Sequence, residues 1–283
     1  MNADDYVKQA GDIFVLSESF MRIRELIDDE TSTIDDISAV ILLDPTLTGI
    51  ILKLANSAFF NYPGKIDTIS KAVLVLGITE VYNLVIAYFT SEAVKGINAN
   101  KEYLDNFWLK SVDCALLMKF IGTHLGIAHA ERLFIFGLLH NLGELIVHQV
   151  DSDKQKACDS KDINVLPWVK QQKVLGFSYG QCSASLLKRW QLPYSVFSPI
   201  GDQDADDISQ HHPETQLLYI VKRVMSKNHT FIDSDLDYTD LISTEQLELL
   251  YLETDVLDNA VNYCNLERLG LLAILNPNAE IPL

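Results

Sequence analysis

The segment GLLHNLGE, residues 137–144, brings an imidazole (His140), an amide (Asn141) and a carboxylate (Glu144) close together in the chain. Groups of these types can hold a divalent metal, which polarises a phosphate and lowers the pKa of a bound water. That chemistry needs several ligands around one ion, and a single imidazole does not supply them. Asn141 can offer an amide oxygen, but it brings no negative charge and cannot act as a base. The expected roles are therefore a helix residue with a hydrogen-bond partner for His140 and a local hydrogen-bonding group for Asn141. Glu144 would repel a substrate phosphate.

Other candidates carry less. His211 and His212, followed by Pro213, lie in an acidic loop and are expected to be solvated. Asp233, Asp235 and Asp237 begin like a calcium loop, but Tyr238 stands where the sharp turn wants Gly, and Thr244 is in the twelfth position. Cys114, Cys158, Cys182 and Cys264 are far apart with no CxxC pair, which argues against a zinc ribbon or a disulfide framework and fits a reducing compartment. Cys114 and Cys182 have no basic neighbour in sequence and read as small buried hydrophobes.

The elements that would position these groups are helical. Thr33 with Asp36 resembles a capping box, and Ile34, Ile37, Val40 and Ile41 follow at helical spacing. Asp44-Pro45 marks a second start, with Asp as N-cap and Leu47, Ile51, Leu54, Ala55 and Ala58 on one face. Asn56 and Ser57 end that helix, as caps or as polar contacts across a groove. Residues 69–76 are apolar and rich in β-branched types; Gly77 as a stop and Thr79 as the next N-cap favour helix over strand. Further helices are expected over 106–122 and 131–149, and two short ones over 167–190 broken near Gly176. No alternating strand pattern emerges, so the fold class is all-α.

Composition narrows the function. Of 283 residues 48% are hydrophobic and 22% charged, with a net charge of -17. So negative a surface repels phosphate backbones and anionic lipid, which excludes nucleic acid and membrane as expected partners. The first residues show no signal peptide, and apolar runs such as LFIFGLL fall short of the roughly 20 residues that span a bilayer, so a cytoplasmic protein is expected. Residues 202–260 hold fourteen Asp/Glu against three Lys/Arg, a net of -11.

Five segments in order resemble the HDOD family, the HD-related output domains of bacterial signalling proteins. They are ILLDPTLTGIILKLANSAFF, with Asp44, Asn56 and Ser57; IDTISKAVLVLG; FWLKSVDCA, with Trp108 and Ser111; GLLHNLGE; and LLKRWQLP. The resemblance implies an HD-like helical core with an N-terminal helical bundle packed against it. It assigns residues 12–205 to the domain, 12–105 to the N-terminal part and 106–205 to the core, and leaves 206–283 as an acidic loop and C-terminal helical extension.

The resemblance also implies a signalling or scaffolding role without a common reaction. Set against active HD enzymes, His140 is retained but Asn141 replaces Asp. The first family histidine falls near Lys110 or Ser111, and Tyr179 stands where a histidine often sits. A later histidine pair falls on Gly201-Asp202, and Glu144 takes the place of a frequent Lys. The expectation is a non-catalytic adaptor with no metal, no cofactor and no catalytic residue. It would dock protein partners, basic on their surface, through the groove between its halves. Two other readings stay open: a divergent HD-type phosphohydrolase or phosphodiesterase acting on a nucleotide, and a small-molecule sensor.

Overall fold

A computed structural model describes residues 1–14, 17–29, 31–57, 60, 62–127, 131–160, 165–228 and 237–276, with side chains for all of these except Asp12, Ile13, Glu131 and Asn228. Ala58, Asp233 and Asp235 lie outside the described residues, so the calcium-loop reading is not addressed. Among the described residues the regular structure is helical and contains no strand. In chain order the helices begin with α1 (Ala3–Ala10), α2 (Glu18–Asp28), α3 (Ile34–Leu42), α4 (Pro45–Ala55), α5 (Ile69–Leu76) and α6 (Ile78–Lys95). Next come α7 (Lys101–His124), α8 (Glu131–Leu139), α9 (Leu142–Val150), α10 (Ser152–Asp159), α11 (Pro167–Leu175) and α12 (Tyr179–Arg189). The series closes with α13 (Tyr194–Gly201), α14 (Pro213–Asn228), α15 (Tyr238–Leu241), α16 (Thr244–Glu248) and α17 (Thr254–Leu275).

The chain forms two compact units. One comprises Met1–Ile13 with Leu109–Asn265, the other Phe14–Trp108 with Leu266–Leu283. These differ from the segments drawn on the sequence at both ends of the chain. The reason at the N-terminus is α1, an amphipathic helix whose Tyr6, Val7 and Ala10 are buried as it packs on α9 and α12. The Arg189 guanidinium donates to the Val7 carbonyl (3.2 Å), and Tyr6 meets Phe177 edge to face. Toward the C-terminus, α14 packs on α8 and α13, so residues after 206 complete an existing core.

In the Phe14–Trp108 unit, helices α2 to α6 bury apolar faces on one another. Their starts follow the side-chain caps. Thr33 and Asp36 exchange both bonds of a capping box, and the Asp44 carboxylate accepts from the N–H groups of Thr46 (2.9 Å) and Leu47 (3.0 Å). Residues 69–76 are helical. The start of α6 departs from expectation: its N-cap is Gly77, not Thr79, at φ +90°, a backbone conformation that favours glycine.

In the Leu109–Asn265 unit, the helix expected over 131–149 is broken in two at His140 and Asn141. Apolar residues run straight through this break, which is why periodicity does not reveal it. Arg132–Val150 is the one stretch among the described residues that is by itself long and apolar enough to cross a membrane, and 78% of it is buried inside the protein. The break lets α9 approach α12 closely. A Cβ added at Gly143 would lie 2.2 Å from the Tyr179 carbonyl oxygen and 2.7 Å from the Cys182 Cβ. The four cysteines are all buried and all free thiols.

Gly143→Ala therefore cannot be absorbed by a side-chain rotation, because the clash is with backbone. Urea unfolding is expected to show a loss of about 2–4 kcal/mol, against a fraction of that for alanine at an exposed helical site. A loss within about 0.5 kcal/mol would mean that α9 and α12 do not pack this closely.

Candidate functional site

The break between α8 and α9 leaves backbone groups in the core without helical partners, and side chains from distant parts of the chain take them up. The His140 carbonyl accepts from Ser183 Oγ (3.1 Å) and from Gln203 Nε2 (3.0 Å). The Gly143 N–H donates to the same Ser183 hydroxyl at 2.8 Å. Ser183 and Gln203 are both fully buried. The His140 ring bonds through Nδ1 to the Gly137 carbonyl at 2.6 Å, an acceptor that an unbroken helix would offer to the N–H of Asn141. A carbonyl can only accept, so Nδ1 carries a proton and donates it.

Around His140 lies a small cavity of about 60 Å³, with room for little more than two or three waters. Lys110, Glu144, Asp159, Trp168, Tyr179 and Lys222 are among its walls. The Glu144 carboxylate is its buried centre. Lys110 Nζ sits 2.5 Å from Glu144 Oε2, with the two side chains 16% and 3% exposed. Asn141 Nδ2 donates to that same oxygen. Asp159 accepts from Tyr179 Oη at 3.2 Å and from Gln155 Nε2 at 2.5 Å. Burial first, and then the nearby Glu144 charge, push the Asp159 carboxyl up to about 6, while Lys110 pulls the other way. On the far wall, Lys222 pairs with Asp204 and lies 4.8 Å above the Trp168 ring. Burial pushes the Lys222 ammonium below its ordinary value.

Tested against a divalent metal, this donor set does not fit. Asn141 presents its N–H₂ to the site, because a carboxylate can only accept from an amide. The oxygen of Glu144 that a metal would use is already shared by an ammonium and that amide. Among the described residues no group of three or more His, Cys, Asp or Glu side chains is set to hold an ion.

The sequence-derived candidates separate into two sets. His140, Asn141 and Glu144 come together with Lys110 and Tyr179 at the cavity. Asp44, Asn56 and Ser57 are occupied locally in the Phe14–Trp108 unit. Asp44 caps α4 and accepts from Tyr88 Oη (3.3 Å); Asn56 bonds both ways with the Ile66 backbone; the Ser57 hydroxyl donates to the Leu54 carbonyl. Trp108 is buried against Phe107, and Ser111 is fully buried. His212 pairs with Glu214 at 3.5 Å and is largely exposed. Gly201 and Asp202 line a separate cleft beside Asp204 and Asp206. Asp159, Gln155, Lys222, Ser183 and Gln203 were not anticipated. Each comes from a helix or loop remote in sequence, and no local motif marks it.

A family model for the HDOD domain matches residues 13–205. The chain belongs to the HDOD family. A protein of Treponema pallidum (strain Nichols), described as an uncharacterized protein, is 29% identical over 192 residues. That match covers 67% of this chain and 37% of the relative, so the chain spans well under half of that protein's length. Two solved structures share the fold. A "Putative phosphohydrolase" from Shewanella amazonensis SB2B has a TM-score of 0.70 at 22% identity, over 94% of this chain and 95% of that one. An HDOD domain protein with unknown function from Geobacter sulfurreducens has a TM-score of 0.70 at 16% identity, over 97% and 99%.

The raised Asp159 carboxyl has a stability consequence. Its folded value of about 6 exceeds the ordinary 3.8, so the folded state binds the proton more tightly than the unfolded chain does. This contribution is fully present below about 3.8 and is lost as pH rises through about 6. Asp159 is solvent-exposed, so screening trims the effect, and between pH 7.5 and 5 the HDOD chain is expected to gain no more than about 0.5–1 kcal/mol from this group. Asp159→Asn should lack that gain in urea unfolding at the two pH values. Parallel pH profiles for the two proteins would show that Asp159 does not titrate there.

Proposed function

We propose that this HDOD protein is a non-catalytic signalling adaptor that works by docking other proteins. The observation that carries the reading is the state of Glu144, whose buried carboxylate is shared by Lys110 and by Asn141, the residue that stands in place of the motif's Asp. A phosphohydrolase would need an ion there to polarise the ester and ionise a water.

Charge supplies the partner's character. Within 202–260 not all acids are available to a partner: Asp204 is paired with Lys222, and Glu214 with Arg132. Asp206, Asp207, Asp237, Asp240, Glu245, Glu248, Glu253, Asp255 and Asp258 are exposed and belong to one compact unit. A field of one sign steers a basic surface toward it and fades with salt, because the Debye length falls to about 8 Å at physiological ionic strength.

Two measurements test the reading. Purified protein incubated with nucleotides, cyclic dinucleotides and Mn²⁺ should show no hydrolysis above buffer. Turnover that His140→Ala abolishes would establish the phosphohydrolase reading instead. With a partner recovered by affinity capture, changing Asp206, Asp207, Asp237 and Asp240 to Asn should slow association roughly threefold or more at low salt and flatten its salt dependence. An unchanged rate would leave solubility as the role of these acids.

A further inference from the structure

The mismatch between this site and a metal centre has a definite chemical form. We infer that the ammonium of Lys110 is the resident cation of the cavity, standing where a divalent ion would sit beside Glu144, Asp159 and His140. Lys110 is on α7, and the first histidine of the HD pattern would fall near it or Ser111. Its Nζ reaches Glu144 Oε2 across 34 residues of sequence.

The buried Glu144 carboxylate, with the solvent-exposed Asp159 nearby, needs a counter-charge. Glu144 is 3% exposed at the side chain, and Asp159 is close enough to be raised by the charge of Glu144 and lowered by that of Lys110. The single ammonium paired with Glu144 provides part of the charge that a metal would provide. It does so without open coordination positions, so no water or ester oxygen can be bound and polarised at it. It also bars the ion itself. A divalent cation entering a 60 Å³ cavity would meet a fixed positive charge within a few ångströms and find the Glu144 oxygen already engaged. Lys222 adds a second positive group to the same walls. The substitution of ion by side chain makes the cluster independent of metal supply, so the fold around the α8–α9 break is complete in the polypeptide alone.

This inference rests on the non-catalytic reading of the site but fails separately from it. The experiment uses the full chain, treated with chelator, in thermal unfolding with and without MnCl₂. Four proteins are compared: the unaltered chain, Glu144→Gln, Lys110→Met, and the double variant Lys110→Met/Glu144→Gln. The unaltered protein should keep its midpoint when Mn²⁺ is added. Lys110→Met, which retains the apolar stem but leaves Glu144 buried without its counter-charge, should fall by about 5 °C or more. The double variant should recover at least half of that loss, because the uncompensated charge is gone.

A Mn²⁺-induced rise in the unaltered protein that Glu144→Gln abolishes would overturn the inference. A rise that Glu144→Gln leaves intact comes from the surface acids and is consistent with it. A Lys110→Met midpoint equal to that of the unaltered chain would also overturn it. If Lys110→Met does not fold, the double variant decides: folding supports a counter-charge role, and failure to fold rejects it. Hydrolysis by a protein that ignores Mn²⁺ would sink the non-catalytic reading alone, and metal binding without hydrolysis would sink this inference alone.

Discussion

The interruption of one apolar helix at His140 and Asn141 is the constraint on which the surrounding core is built. A helix end exposes carbonyl and N–H groups, and inside a core each of these must find a partner or cost about 1–3 kcal/mol. Here Ser183 answers two groups at once, accepting from the Gly143 N–H and donating toward the His140 carbonyl, with Gln203 as the second donor to that carbonyl. These bonds tie α9, α12 and the end of α13 to a single point. Losing the Ser183 hydroxyl would take the acceptor from the Gly143 N–H and leave the His140 carbonyl with one donor fewer.

This arrangement gives the residues of the motif structural roles. His140 has a structural role: its ring holds the Gly137 carbonyl, and its own carbonyl is the anchor for Ser183 and Gln203. Glycine at 143 is required by the closeness of α12. The most motif-like residues of the segment are thus those that shape the turn. The residues that would decide reactivity, Asn141 and Glu144, are instead bonded to each other. A motif match in such a segment reports geometry first.

Much of the fold was legible in the sequence because helix starts are local events. Thr33 and Asp44 cap within three residues of themselves, and the apolar face of α4 is a matter of spacing. Gly77 was legible as a stop but not as the cap of the following helix, because a glycine with positive φ can turn the chain with no intervening polar residue. The helix break was hidden for the opposite reason. Its partners, Ser183 and Gln203, lie 43 and 63 residues away, and nothing near residue 140 announces them. The site divides along the same line: His140, Asn141 and Glu144 could be read from one octapeptide, whereas Asp159 and Lys222 acquire their roles only when α10 and α14 are folded against that segment.

The distribution of cysteine has a practical corollary. Cys114, Cys158, Cys182 and Cys264 all fall in the Leu109–Asn265 unit, and none falls in the other. All four are shielded, and burial pushes the thiols of Cys114, Cys158 and Cys182 upward, so none of these three is a ready thiolate in the closed molecule. Alkylation must wait for the surrounding helices to part. Iodoacetamide uptake at the native cysteines is therefore a stopwatch for breathing of one half of the protein, silent to motion in the other, and mass mapping of the four sites would resolve which helices separate first.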